Sequence, residues 1–110
     1  MAGSDLFTGT LEILILKALS WGPSHGYAIG RWIRESTKDA LVIQEGALYP
    51  ALHRLERKAL VAEEWGETDT GREAKFYSLT ATGRKQLLAE SLRWNQFSRA
   101  VTHALALSRA

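Results

Sequence analysis

The apolar positions of this chain fall into two periods, and the changes between them mark out its elements. From Thr10 to Ser20, Leu11, Leu14, Ile15, Ala18 and Leu19 recur at helical spacing. Thr10 is the expected N-cap of this first helix, with Glu12 beside its positive end. Trp21-Gly22-Pro23 should end it, because glycine permits a left-handed backbone and the following proline cannot continue the helix. Ser24 is then the expected cap of a second helix. Ala28, Ile29, Trp32 and Ile33 form its inward stripe, while Arg31, Arg34 and Glu35 face out. Gly26 and Gly30, four residues apart, predict close approach to another helix.

A polar turn at Thr37 to Ala40 leads to Leu41-Val42-Ile43, a short segment suited to the edge of a small sheet. The stretch Gln44 to Leu60, QEGALYPALHRLERKAL, predicts a third helix. Leu48, Ala51, Leu52 and Leu55 stand at i, i+3, i+4 and i+7 on its buried side. Pro50 lacks an amide hydrogen and belongs near a helix start, so Gly46 or its neighbour is the expected cap. Beyond it the period changes to two. Val61 to Glu67 and Lys75 to Leu79 read as strands joined by Thr68-Asp69-Thr70-Gly71, a hairpin. Thr80 caps a last long helix with Leu87, Trp94 and Val101 at intervals of seven, widened by Phe97, Ala104 and Leu105.

Three helices followed by a hairpin give a mainly α fold, the order of a winged helix-turn-helix, with one long C-terminal helix added. The expected division is a DNA-binding part over 1–79 and a dimerisation helix over 80–110, together forming one compact unit. A chain of 110 residues supports a single core of this size.

Composition changes this picture little. The 45% apolar content is that of a globular protein, which sets disorder aside. The absence of cysteine removes disulfides, thiolate metal sites and a cysteine nucleophile, and fits a reducing cytoplasm. The longest apolar run, Ile13 to Leu16, is too short for a membrane span, and the first residues form no basic leader. A net charge of +2 is weak evidence for nucleic acid, so the placement of charge must carry the argument.

On the third helix Tyr49, Pro50, His53, Arg54 and Arg57 project away from the buried stripe. They combine phosphate donors and base-edge donors with one rigid ring. For His53 and Arg54 the competing reading is an ordinary solvated face. Arg72 and Lys75 flank the hairpin tip, where cations meet the phosphate field, although Glu67, Asp69 and Glu73 oppose part of that approach. Trp94 and Phe97 read first as packing in a dimer seam with Leu87, Val101 and Leu105, and otherwise as a pocket for a small aromatic effector. His25, His53 and His103 have no metal-ligand spacing, and GxxxxGK, GxSxG and GxGxxG are absent. No enzyme, cofactor or metal is predicted.

GTLEILILKAL (Gly9 to Leu19), HGYAI (His25 to Ile29), EGALYPALHRLE (Glu45 to Glu56) and REAKFYSLTATGRKQL (Arg72 to Leu87) resemble the PadR family of transcriptional regulators. The similarity is to its short form with a single C-terminal helix. It implies a homodimeric repressor that binds palindromic promoter DNA and, in many members, releases it on binding a small molecule. Tyr49 and Pro50 match the family's Tyr-Pro at the start of the recognition helix, and Arg72 and Lys75 its basic wing. The chain departs at Ala59, where relatives often have a glycine cap, and at Ala47, where serine is common. Taken with the outward face of the third helix from Gly46 to Arg57, the candidate DNA-binding residues are Gly46, Ala47, Tyr49, Pro50, His53, Arg54, Arg57, Arg72 and Lys75. The rival expectation is a protein-interaction module on the same scaffold, for which the balanced charge speaks.

Overall fold

The computed structural model describes residues 2–108, with side chains from residue 9 onward. Its elements run α1 (Ala2–Leu19), β1 (Ser24–His25), α2 (Gly26–Ser36), α3 (Glu45–Arg57), β2 (Val61–Glu67), β3 (Glu73–Leu79) and α4 (Ala81–Ala106). The strands form one antiparallel sheet in the order β1-β3-β2. This is the winged helix-turn-helix with a long C-terminal helix that the apolar pattern predicts.

The core joins the inward faces of all three leading helices to the base of the hairpin. Leu11, Ile15, Leu16 and Leu19 of α1 meet Ile29 and Ile33 of α2, and Leu48, Ala51, Leu52 and Leu55 of α3. Val61 and Tyr77 close the cluster from the sheet. Each large aliphatic side chain so buried contributes roughly 1.5 to 3 kcal/mol. Among the described residues no polar side chain is buried, so the core itself holds the helices by apolar packing.

Several expected boundaries move. Thr10 is no cap, because α1 continues back through it to Ala2; Glu12 is therefore mid-helix and acts through other contacts. Ser24 does not cap α2. It pairs with Tyr77 in the sheet, and the imidazole of His25 takes the cap, its Nδ1 accepting from the Ala28 amide at 3.3 Å. Leu41-Val42-Ile43 forms no strand; Leu41 and Ile43 instead pack against the core as part of the loop between α2 and α3. The cap of α3 is Gln44 rather than Gly46 or its neighbour, with no side-chain bond, so Pro50 sits in the second turn. There the missing amide leaves the Gly46 carbonyl without its helical partner, at an exposed position.

The end of α3 keeps the glycine-type geometry without glycine. Ala59 has φ +59°, the Ala59 amide donates to Glu56 O at 2.9 Å, and the Leu60 amide donates to Leu55 O at 3.0 Å. This is a Schellman cap, closed by the buried Leu55 and Leu60. Thr80 caps α4 as expected, its hydroxyl accepting from the Gly83 amide at 2.9 Å. Gly83 lies so close to the Leu60 carbonyl that a Cβ would overlap it. That contact fixes α4 to the hairpin base.

The molecule measures 61 × 28 × 26 Å. Much of the long dimension is α4, about 39 Å at 1.5 Å per residue. Its apolar stripe is only partly covered: Trp94, Phe97, Val101 and Leu105 are all exposed. Among the described residues no helix is long and apolar enough to cross a membrane.

Candidate nucleic-acid interface

At about 100° per residue, the buried quartet of α3 leaves Gly46, Pro50, His53 and Arg57 on the opposite face. All four are exposed. Tyr49 and Glu56 lie on the flank toward the sheet, while Ala47, Arg54 and Lys58 lie on the flank toward α1. The flanks are anchored; the outer face is open.

Arg54 departs from the free placement expected of it. Its Nε donates to Glu12 Oε2 at 2.8 Å, and Lys58 Nζ reaches the other oxygen of the same carboxylate at 3.3 Å. The Arg54 side chain is 33% exposed and that of Glu12 only 15%. A partly desolvated, charge-assisted bond of this kind holds a side chain more firmly than an exposed ion pair does. Arg54 therefore braces α3 against α1. Arg57 has no carboxylate partner among the described residues.

Tyr49 is 41% exposed, and its ring lies over the backbone of Gly26. The close approach predicted for Gly26 is thus made to a side chain of α3, whereas Gly30 meets only ordinary contact from Leu48. His53 stands 3.8 Å from Glu56, a loose pair, with its side chain 69% exposed.

On the wing, Arg72 and Lys75 are not equivalent. Arg72 is exposed at the hairpin tip, and its guanidinium has no partner among the described residues. Lys75 Nζ is bound to Glu63 Oε1 at 3.2 Å and lies over the Trp65 ring at 5.9 Å. Register puts Trp65 directly across from Lys75, and Glu63 across from Tyr77, all on the sheet face that packs toward the helices. Glu56 reaches this group from α3. Its carboxyl is held above the usual range, chiefly by its hydrogen bond with Glu63. Glu63 is lowered, first by that same bond and then by Lys75, and the Lys75 ammonium is raised by Glu63. One ammonium thus serves two carboxylates.

The sequence reading gave no role to Tyr27, Arg31 or Trp65. Tyr27 is 71% exposed and Trp65 64%. The signal for Tyr27 was present: it falls about 200° around α2 from the core residue Ile29. Arg31 lies over its ring at 5.7 Å.

On α4, Trp94 and Phe97 form a tilted aromatic pair with centroids 6.3 Å apart. They edge a shallow groove against Gly9, Thr10 and Ile13 of α1. Leu87 packs against the core, while Val101 and Leu105 lie further out along the helix, exposed. Among the described residues no cluster of three or more metal-ligating side chains forms.

Comparison with known proteins agrees with this architecture. A transcriptional regulator from Clostridium thermocellum superposes with a TM-score of 0.81 at 29% identity, over 90% of this chain and 96% of that one. A PadR-like transcription factor from Bacteroides fragilis does so with a TM-score of 0.75 at 31% identity, over 94% and 97%. An uncharacterized protein from Lysinibacillus sphaericus is 31% identical over 87 residues, 79% of this chain and 80% of its own length. Residues 15–89, which hold most of the core, α3 and the wing, match the model of the PadR-like family of transcriptional regulators, and the chain belongs to that family.

Proposed function

We propose that the protein is a homodimeric repressor that binds a pseudo-palindromic promoter operator in double-stranded DNA. The recognition element is α3. Gly46, Pro50, His53 and Arg57 form its groove-facing side, Tyr49 extends that side, and Ala47 lets the backbone approach. Arg72 supplies the wing contact. Arg54 acts as a brace, and Lys75 serves mainly to neutralise Glu63.

The observation that carries this reading is the open outer face of α3. Arg57 is exposed there with no carboxylate partner among the described residues, while the flanks are tied to α1 and to the hairpin. An arginine so presented can make two hydrogen bonds to guanine, worth about 1 to 3 kcal/mol of discrimination. The exposed stripe of α4 supports the dimer, since a contiguous apolar face on a small protein marks an interaction site. Two-fold pairing then sets half-sites about 34 to 36 Å apart, or a multiple of that distance. Trp94 and Phe97 belong to the same seam. A small aromatic effector would bind against them, and quenching of tryptophan emission that is lost in Trp94→Ala tests this.

The central test is an anisotropy titration with the DNA upstream of the protein's own coding region, followed by genome-wide selection of bound fragments. Sequence-selective binding that Arg57→Ala relaxes at one base position, with the dimer intact in sedimentation, is the expected result. Binding no tighter than to random DNA in both experiments would replace this reading with a protein-interaction module.

A further inference from the structure

We infer that the Arg31–Tyr27 stack on α2 is a second DNA contact, a phosphate-binding strip separate from the base-reading face of α3; the inference rests on the DNA-binding reading above. Gly26 and Gly30 are the positions of α2 that face α3, with Tyr49 across the first and Leu48 against the second. Tyr27, Arg31 and Arg34 follow on the adjoining flank, so they rim the groove between the two helices with Gln44 and Tyr49. The exposed surface therefore runs without a break from the outer face of α3, over Tyr49, to Tyr27 and Arg31.

The chemistry of this strip suits phosphate. Arg31 has no carboxylate partner among the described residues, although Glu35 lies one turn further along. Its partner is the Tyr27 ring, which steadies the guanidinium while leaving its edge N–H groups unspent. Arg34, by contrast, is paired with Asp39 at 3.6 Å. The Tyr27 ring is in turn stacked at 20° on His25, with centroids 6.5 Å apart, and His25 meets the edge of Phe76 on the wing at 5.4 Å. The His25 Nδ1 is occupied as the cap of α2, so the neutral ring carries its hydrogen on Nε2 as a further donor. The first turn of α2 holds no acidic residue. Arginine, tyrosine hydroxyl and a helix N-terminus are the donor types that hold DNA phosphates. Glu45, across the groove, is the opposing charge, which places the backbone on the Tyr27 side.

A phosphate contact and a base contact leave different signatures. Each neutralised phosphate lost lowers the slope of log affinity against log salt by about 0.9 and weakens binding roughly tenfold near 0.1 M salt, on any sequence, and a substitution in a homodimer loses two, about 1.8 in slope. The full-length protein and its Arg31→Ala, Arg31→Lys, Tyr27→Phe and Arg34→Ala variants are titrated on operator and on random DNA at several salt concentrations. Expected are a reduced slope with equal losses on both DNAs for Arg31→Ala, and a retained slope for Arg31→Lys. Tyr27→Phe should lose several-fold in affinity without a change of slope, and Arg34→Ala should be unchanged. If the parent binds DNA and Arg31→Ala keeps its slope and affinity, the strip is not a phosphate contact, while the α3 reading stands. If the parent binds no DNA, both fail together.

Discussion

The phenol of Tyr49 lies across the backbone of Gly26, and a Cβ added there would come within 2.6 Å of the hydroxyl oxygen. The atom in the way is the far end of a half-exposed side chain, so it can swing out. Gly26→Ala should cost less than about 1 kcal/mol, because the rotation relieves the overlap and alanine suits a first helical turn better than glycine. DNA affinity should nevertheless fall, since Tyr49 would leave its place beside the α3 face. Thermal melts and titrations of the same variant separate the two effects. A loss above about 3 kcal/mol would show the ring to be locked, which the 41% exposure of Tyr49 argues against.

Gly83 presents the opposite case, because its neighbour is the backbone carbonyl of Leu60, which also accepts from the Thr80 amide at 3.1 Å. Neither partner can rotate away. Gly83→Ala should therefore destabilise by about 3 kcal/mol or more, by moving α4 off the hairpin base. A melt within a degree or two of the parent would refute the close packing of α4 at this point.

The brace between α1 and α3 predicts an asymmetry between its two ends. Glu12→Gln removes the charge that holds both Arg54 and Lys58, and should cost about 1 kcal/mol. It also frees two cations beside the recognition face. Non-specific DNA binding should therefore strengthen in Glu12→Gln with a steeper salt slope, whereas Arg54→Ala should lose stability without a change in base preference. Altered base preference in Arg54→Ala would return Arg54 to the reading face.

These cases show where the sequence was legible and where it was not. The buried quartet of α3, the strand Val61–Glu67 and the Thr80 cap follow from periodicity and local chemistry, and no distant residue overrides them. The start of α1 does not, because Gly9-Thr10 looks like a helix boundary and the chain continues as helix through it. Ser24 has the better capping propensity, but the sheet claims it and leaves the imidazole of His25 to do the work. Arg54 had the spacing of a groove residue. Its partner lies 42 positions earlier, and no period within one helix reports such a pairing. Arg72 and Lys75 looked alike for the same reason: Glu63 reaches Lys75 only once the hairpin register is fixed.

The carboxylates beside Lys75 predict a pH dependence of mixed sign. Glu63 is lowered, so its contribution to stability is present above the ordinary carboxyl value of 4.5 and is lost as pH falls through the folded pKa. Glu56 is raised above 4.5, so the folded state binds its proton more tightly; that contribution grows as pH falls through the raised pKa and vanishes above it. Glu56→Gln keeps a hydrogen-bond donor toward Glu63 at every pH. Its melting temperature should exceed the parent's at neutral pH, with the gap closing as pH falls below the raised value. A gap independent of pH would mean that the two carboxylates do not interact.

The alanine at the end of α3 gives a prediction that concerns the backbone alone. At φ +59° its Cβ crowds the backbone, a strain of roughly 1 to 2 kcal/mol for a non-glycine residue. The two Schellman hydrogen bonds and the Leu55–Leu60 closure hold it there, because relaxing Ala59 would undo them and shift the start of the wing. Glycine removes the strain but adds freedom to the unfolded chain, which returns about 0.4 to 1 kcal/mol. The remainder makes Ala59→Gly more stable by about 0.5 to 1 kcal/mol, a rise of a few degrees in melting temperature. Ala59 is exposed, so its methyl has little packing to lose. Ala59→Val, branched at the crowded carbon, should melt below the parent. The opposite order, with valine above alanine above glycine, would mean that the left-handed cap does not form, and the wing would then leave α3 by another path.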